Sequence, residues 1–187
     1  RRVLFRSPGE HRTLPVSGTS IAVAPGRIPD AADLARWAAA DAAARPARLA
    51  RFRAALAAHG LDGWLGLRRE TIRYLTGFAL ADGEEKVSGV SGWFLVGADE
   101  VVLFADSRYR VQAGEEAPDA RLEEVYGDLA SRWPALVGSI VPIAGGARGS
   151  ARRIGVEASV LPHATWLLLA AADPRIELVP ADGLVEP

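Results

Sequence analysis

The chain has no cysteine and no methionine among its 187 residues. Without thiols it forms neither a disulfide nor a thiolate metal site, and its redox compartment stays open. A chain without methionine also lacks the usual first residue of a reading frame. Long apolar runs are missing. None approaches the ~20 residues that a helix needs to cross a bilayer, and the amino terminus has no apolar core of a secretion signal. The net charge of −1 gives no electrostatic case for nucleic acid or for an anionic membrane surface. A cytoplasmic protein with neither kind of partner is expected.

Catalytic spacings are scarce as well. The histidines are His11, His59 and His163, no two close in sequence and none within an HExxH pattern. Metal sites need several convergent donors, and no spacing here offers them. There is no GxSxG around any serine. Gly145-Gly146-Ala147-Arg148-Gly149 lacks the lysine and hydroxyl residue of a phosphate loop and precedes a strand, so it reads as a linker. The acidic pairs Glu84-Glu85, Glu115-Glu116 and Glu123-Glu124 are neighbours that point different ways, which fits a solvated surface better than acid/base work. No residue is assigned to catalysis, to a metal or to a cofactor.

What is present is 49% hydrophobic residues, enough to bury one core. Residues 1–45 read as a leader. Residues 1–7 resemble the conceptual translation of a sequencing-adapter tail, an ordinary basic leader being the alternative. Residues 8–29 hold four prolines and three glycines and read as loop or disorder. Asp30 opens an alanine-rich, marginal helix that Leu34 and Trp37 alone could anchor.

The domain itself is expected over 46–187, from Pro46 at a first helical position. Leu49, Phe52 and Leu56 follow at helical spacing, and Gly60 closes that helix in the left-handed region. Asp62 to Leu67 reads as a strand. Trp93 to Val96 and Val101 to Phe104 are continuous apolar runs around a short turn, a hairpin covered on both faces. Helices are expected over 109–117, 128–140 and 162–172, with strands at 122–125, 154–157 and 176–179. Strands alternating with helices imply a mixed sheet flanked by helices, an α/β fold. Asp106-Ser107-Arg108-Tyr109 follows a buried strand and opens a helix. Asp106 is placed to cap it. Arg108 and Tyr109 stand at the strand-to-helix corner, where they either brace the loop or meet a substrate.

IRYLTGF at 72–78, FADSRY at 104–109, RIGVE at 153–157 and ELVPADG at 177–183 occur in an order that resembles the amino-terminal domain of the Xaa-Pro peptidases, the aminopeptidase P, prolidase and creatinase relatives. The resemblance covers roughly Arg48 to Val185. It implies a creatinase/prolidase-type domain related to the ribonuclease H-like fold, which performs no chemistry in that family. The chemistry belongs to a following "pita-bread" domain, before which this chain stops. There two aspartates, one histidine and two glutamates hold two divalent metal ions, often manganese or cobalt. Such a parent removes the amino-terminal residue from a peptide with proline second. The resemblance also implies a homo-oligomer, the domain pairing subunits and narrowing the mouth of the active site. Tyr74, Phe78, Arg108 and Tyr109 are then expected to face that cleft, together with the loop 68–90. A stand-alone binding or oligomerisation module, and a piece of a creatinase-like amidinohydrolase, are the alternatives.

Overall fold

The computed structural model describes residues 28–80, 89–141 and 151–185. The readings made for residues 1–27, for the charged loop at 81–88 and for Gly145 to Ser150 lie outside these residues.

The first helix, α1 (Ala31–Ala58), begins where the sequence placed a cap. Asp30 accepts from the Asp33 amide at 2.9 Å, and Asp33 accepts from the Asp30 amide at 3.2 Å, a reciprocal capping box. The helix does not restart at Pro46. It runs through that residue without a break, although proline forfeits one backbone hydrogen bond there. Phe52 and Leu56 bury the second half against the sheet, and the capping box fixes the start of the first half. Leu34 and Trp37 anchor nothing: 56% and 52% of their surfaces are exposed. At the far end the Gly60 amide donates to Ala57 and the Leu61 amide to Leu56, with φ +64° at Gly60. This is the paired C-terminal closure that the glycine foretold.

The strands are β1 (Gly63–Gly66), β2 (Phe94–Val96), β3 (Val101–Ala105), β4 (Arg121–Glu124), β5 (Arg152–Val156) and β6 (Ile176–Pro180). They form a six-stranded sheet in the order β4-β3-β2-β1-β5-β6. β2 pairs antiparallel with β1 and β3, while β3–β4, β1–β5 and β5–β6 are parallel. β2 and β3 are the expected hairpin, buried along their whole length. The remaining helices are α2 (Arg69–Thr76), α3 (Arg110–Glu116, after a 3-10 turn at Ser107–Tyr109), α4 (Leu129–Ile140) and α5 (His163–Ala172). The sequence reading left 69–76 without a helix. There Thr71, Ile72, Leu75 and Thr76 share one buried helical face.

Side chains alternate across the sheet and sort the core into two layers. Trp64, Phe94, Val96 and Leu103 face α1, α2 and α3. Leu65, Leu95, Val102, Phe104, Ile154 and Val156 face α4 and α5. Trp64 is fully buried, edge-on to Phe52 at 4.9 Å and to Phe94 at 5.6 Å. Apart from β2, every strand runs the same way, so the carboxyl ends of five strands share one edge of the sheet. In open α/β sheets the loops leaving that edge form the binding rim.

Candidate functional site

Glu157 follows the last residue of β5 and is only 4% exposed. Its Oε2 accepts from the amides of Leu67 at 2.6 Å and Arg68 at 2.7 Å, and its Oε1 from the Thr71 hydroxyl at 2.8 Å. Arg68 is the N-cap residue of α2 and makes no side-chain cap. A carboxylate from a strand 90 residues away therefore supplies the anion that the positive end of this helix favours. The register makes this possible: Leu65 pairs with Val156, which sets Glu157 beside the chain leaving β1.

The network extends along the rim. The Arg68 guanidinium donates to Ser159 Oγ at 2.7 Å, and the Ser159 hydroxyl donates to Asp182 at 2.5 Å. The loops after β1, β5 and β6 are thereby tied around a cavity of about 640 Å³ that Tyr74 and Val185 also line. The Tyr74 ring packs under the Arg48 guanidinium, 4.4 Å from ring centre to carbon, a cation–π contact.

The second part of the rim lies at the ends of β3 and β4. Asp106 caps the 3-10 turn through the Arg108 amide at 2.9 Å and grips the Arg108 guanidinium at 2.7 Å. Those hydrogen bonds from Arg108, foremost, hold its carboxyl down at about 2. The group is depressed in the folded state, so its stabilising contribution is present above the ordinary aspartate range near ~3.9. It is lost as pH falls from about 4 toward 2. Stability measured across that window is expected to fall less steeply in Asp106→Asn than in the unaltered chain. Equal slopes would rule out the pairing. Next to it, Glu124 is also held below the usual carboxylate range, first by the hydrogen bond from Arg110 and then by that from Tyr126.

The four residues expected at a cleft have separate fates. Arg108 is exposed on the rim, and Tyr74 is half-buried in the wall of the Arg68–Asp182 cavity. Phe78 and Tyr109 lie inside the core, 0% and 5% exposed, edge to face at 6.2 Å. They back the corner from within, and Arg108 is what that corner presents outward. Glu157 and Asp182 were missed by sequence reasoning. The only signal was an acid one or two residues after each closing strand. Among the described residues no group of three or more histidine, aspartate and glutamate side chains could hold a metal ion. The residues here do not fit a metal centre, and no step passes through one.

The profile of the creatinase/prolidase N-terminal domain matches residues 48–187. The chain belongs to the creatinase/prolidase N-terminal domain family. Among solved structures, it is 30% identical to the N-terminal domain of the cytoplasmic peptidase PepQ from Mycobacterium tuberculosis, with a TM-score of 0.56 over 74% of this chain and 95% of that one. The Xaa-Pro aminopeptidase from Streptococcus thermophilus gives 22% identity and a TM-score of 0.57, over 76% of this chain and 95% of that chain. The Xaa-Pro dipeptidase from Bacillus anthracis gives 22% and 0.58, over 76% of this chain and only 35% of its own length. The last two show a shared fold. No curated protein sequence matches the chain. The creatinase/prolidase assignment accounts for the mixed sheet with helices on both faces. No described helix is long and apolar enough to cross a membrane.

Proposed function

We propose that this chain is the non-catalytic amino-terminal domain of a cytoplasmic Xaa-Pro peptidase. The observation that carries the reading is the match to isolated N-terminal domains over nearly their whole length, set beside a match to about a third of the Bacillus anthracis enzyme. The parent would remove the residue ahead of proline from a peptide. Its two divalent metal ions, manganese or cobalt, would be held by another domain.

This domain's own part would be to help pair subunits and to shape the mouth of the site. The carboxyl-end rim supports that role, because it gathers Arg68, Tyr74, Arg108 and Asp182 on the loops and helical turns that leave one edge of the sheet. The purified 187-residue chain, given an Ala-Pro peptide and manganese, is expected to show hydrolysis at background only. Turnover by the pure chain would overturn the proposal. In a protein that also carries the catalytic domain, Arg108→Ala is expected to raise KM while leaving kcat nearly unchanged. Such a split marks lost binding at an entrance rather than lost chemistry.

A further inference from the structure

A groove of about 260 Å³ opens at the opposite edge of the sheet, between α1, the end of α2 and the starts of β3 and β4. Arg45, Leu49 and Arg53 recur at every fourth residue of α1 and so share one helical face toward it. Leu75 and Val101 complete an aliphatic floor. Across from the arginines lie Asp99, in the turn between β2 and β3, and Asp119, just ahead of β4.

These charges are only partly answered within the chain: Arg45 donates its Nη1 to the Thr76 and Glu116 carbonyls. Arg45 Nε is buried with no hydrogen-bond acceptor, its nearest carboxylate, Asp41, standing at 3.8 Å. Arg53 donates its Nε to the Gly97 carbonyl at 2.9 Å. Burial, foremost, lowers the Arg53 guanidinium from its ordinary range, against the charge of Asp99. Neither aspartate side chain has a hydrogen bond or ion pair among the described residues. Two cations and two anions sum to zero across the groove. A plain anion meets the aspartates, and a plain cation meets the arginines. Only a molecule carrying both signs, with an aliphatic body between, satisfies walls and floor together.

We propose that this groove binds a free aliphatic α-amino acid of leucine or proline size, its carboxylate toward Arg45 and Arg53 and its ammonium toward Asp99 and Asp119. The site stands apart from the peptidase reading, since it lies at the edge remote from the rim and uses none of its residues. Calorimetric or NMR titration of the 187-residue chain with L-leucine and L-proline is expected to show saturable binding of at least one of them. For the amino acid that binds, the N-acetyl derivative and the carboxamide each lack one charge. Each is expected to bind at least about tenfold more weakly, the loss of one charge-assisted hydrogen bond. Arg53→Ala and Asp99→Asn are expected to weaken binding to the same extent. Asp99 sits in an exposed turn, so its variant keeps the fold, and an unchanged melting curve checks this. Arg108→Ala, at the other edge, leaves binding intact. No saturable binding of either amino acid, equal affinity for the N-acetyl derivative, or unchanged affinity in Asp99→Asn would overturn the proposal.

Discussion

Replacing Glu157 by alanine is expected to destabilise the chain by about 3–5 kcal/mol, in the range of changes that break a buried hydrogen-bond network. Two backbone amides and one hydroxyl converge on this carboxylate. Removing it leaves the Leu67 and Arg68 amides and the Thr71 hydroxyl without their acceptor at a site with little access to water. It also removes the negative charge at the start of α2. The melting temperature should fall by well over about 5 °C, since 1 kcal/mol moves a domain of this size by ~2–8 °C. Glu157→Gln separates charge from volume. It keeps the shape and one acceptor oxygen but turns an amino group toward the donors. Roughly half the loss is expected there. Urea unfolding of both variants checks this. An alanine variant within about 0.5 kcal/mol of the parent would show that α2 is held by its apolar face alone.

Glu157 also shows where a sequence stops speaking. The hairpin at 93–104 is legible because two continuous apolar runs around a short turn have few other solutions. Gly60 and Asp106 are legible because capping is local chemistry, settled within a few residues. The role of Glu157 is not local. It exists only once β5 lies parallel to β1 in a register that no short-range pattern encodes. α2 escaped notice for a different reason. It has eight residues, too few to display a period, and it opens on Arg69 and Glu70, which look like a turn. Pro46 misled in the opposite direction. A proline suits a helix start, but here the packing of Phe52 and Leu56 and the capping box at Asp30 carry one helix through it. At the Arg108 corner, the sequence located the residues but not the side their rings take. That choice is made by Phe78, brought in by the turn after α2 and packed against Tyr109.

Gly77→Ala is the second substitution expected to cost about 3 kcal/mol or more, and its cost should depend on Arg45. Gly77 ends α2 with φ +88°, its amide donating to Arg73 at 2.9 Å. An alanine pays ~1–2 kcal/mol for the left-handed conformation alone. Its Cβ would also stand 2.5 Å from Arg45 Nη1 and 2.6 Å from the Glu116 carbonyl oxygen. Arg45 cannot retreat without loss. Its Nη1 donates to Thr76 O at 2.9 Å and to Glu116 O at 3.0 Å, the last carbonyls of α2 and α3. One guanidinium thus closes two helix ends, where a cation is favoured. Once Arg45→Ala has removed it, Gly77→Ala should cost less, the backbone strain and the close Glu116 carbonyl oxygen remaining. A double-mutant cycle is therefore expected to give a coupling of about 1–3 kcal/mol, the pair costing less than the sum of the singles. Strict additivity would mean that the glycine serves its own turn only. The same contact moves the tolerable cut. A domain boundary at Pro46 leaves Arg45 in the leader, whereas a deletion that spares stability is expected to end before Asp41. That aspartate stands 2.6 Å from Arg48 and beside Arg45, so α1 braces the arginines that reach α2 and α3 from at least that turn onward.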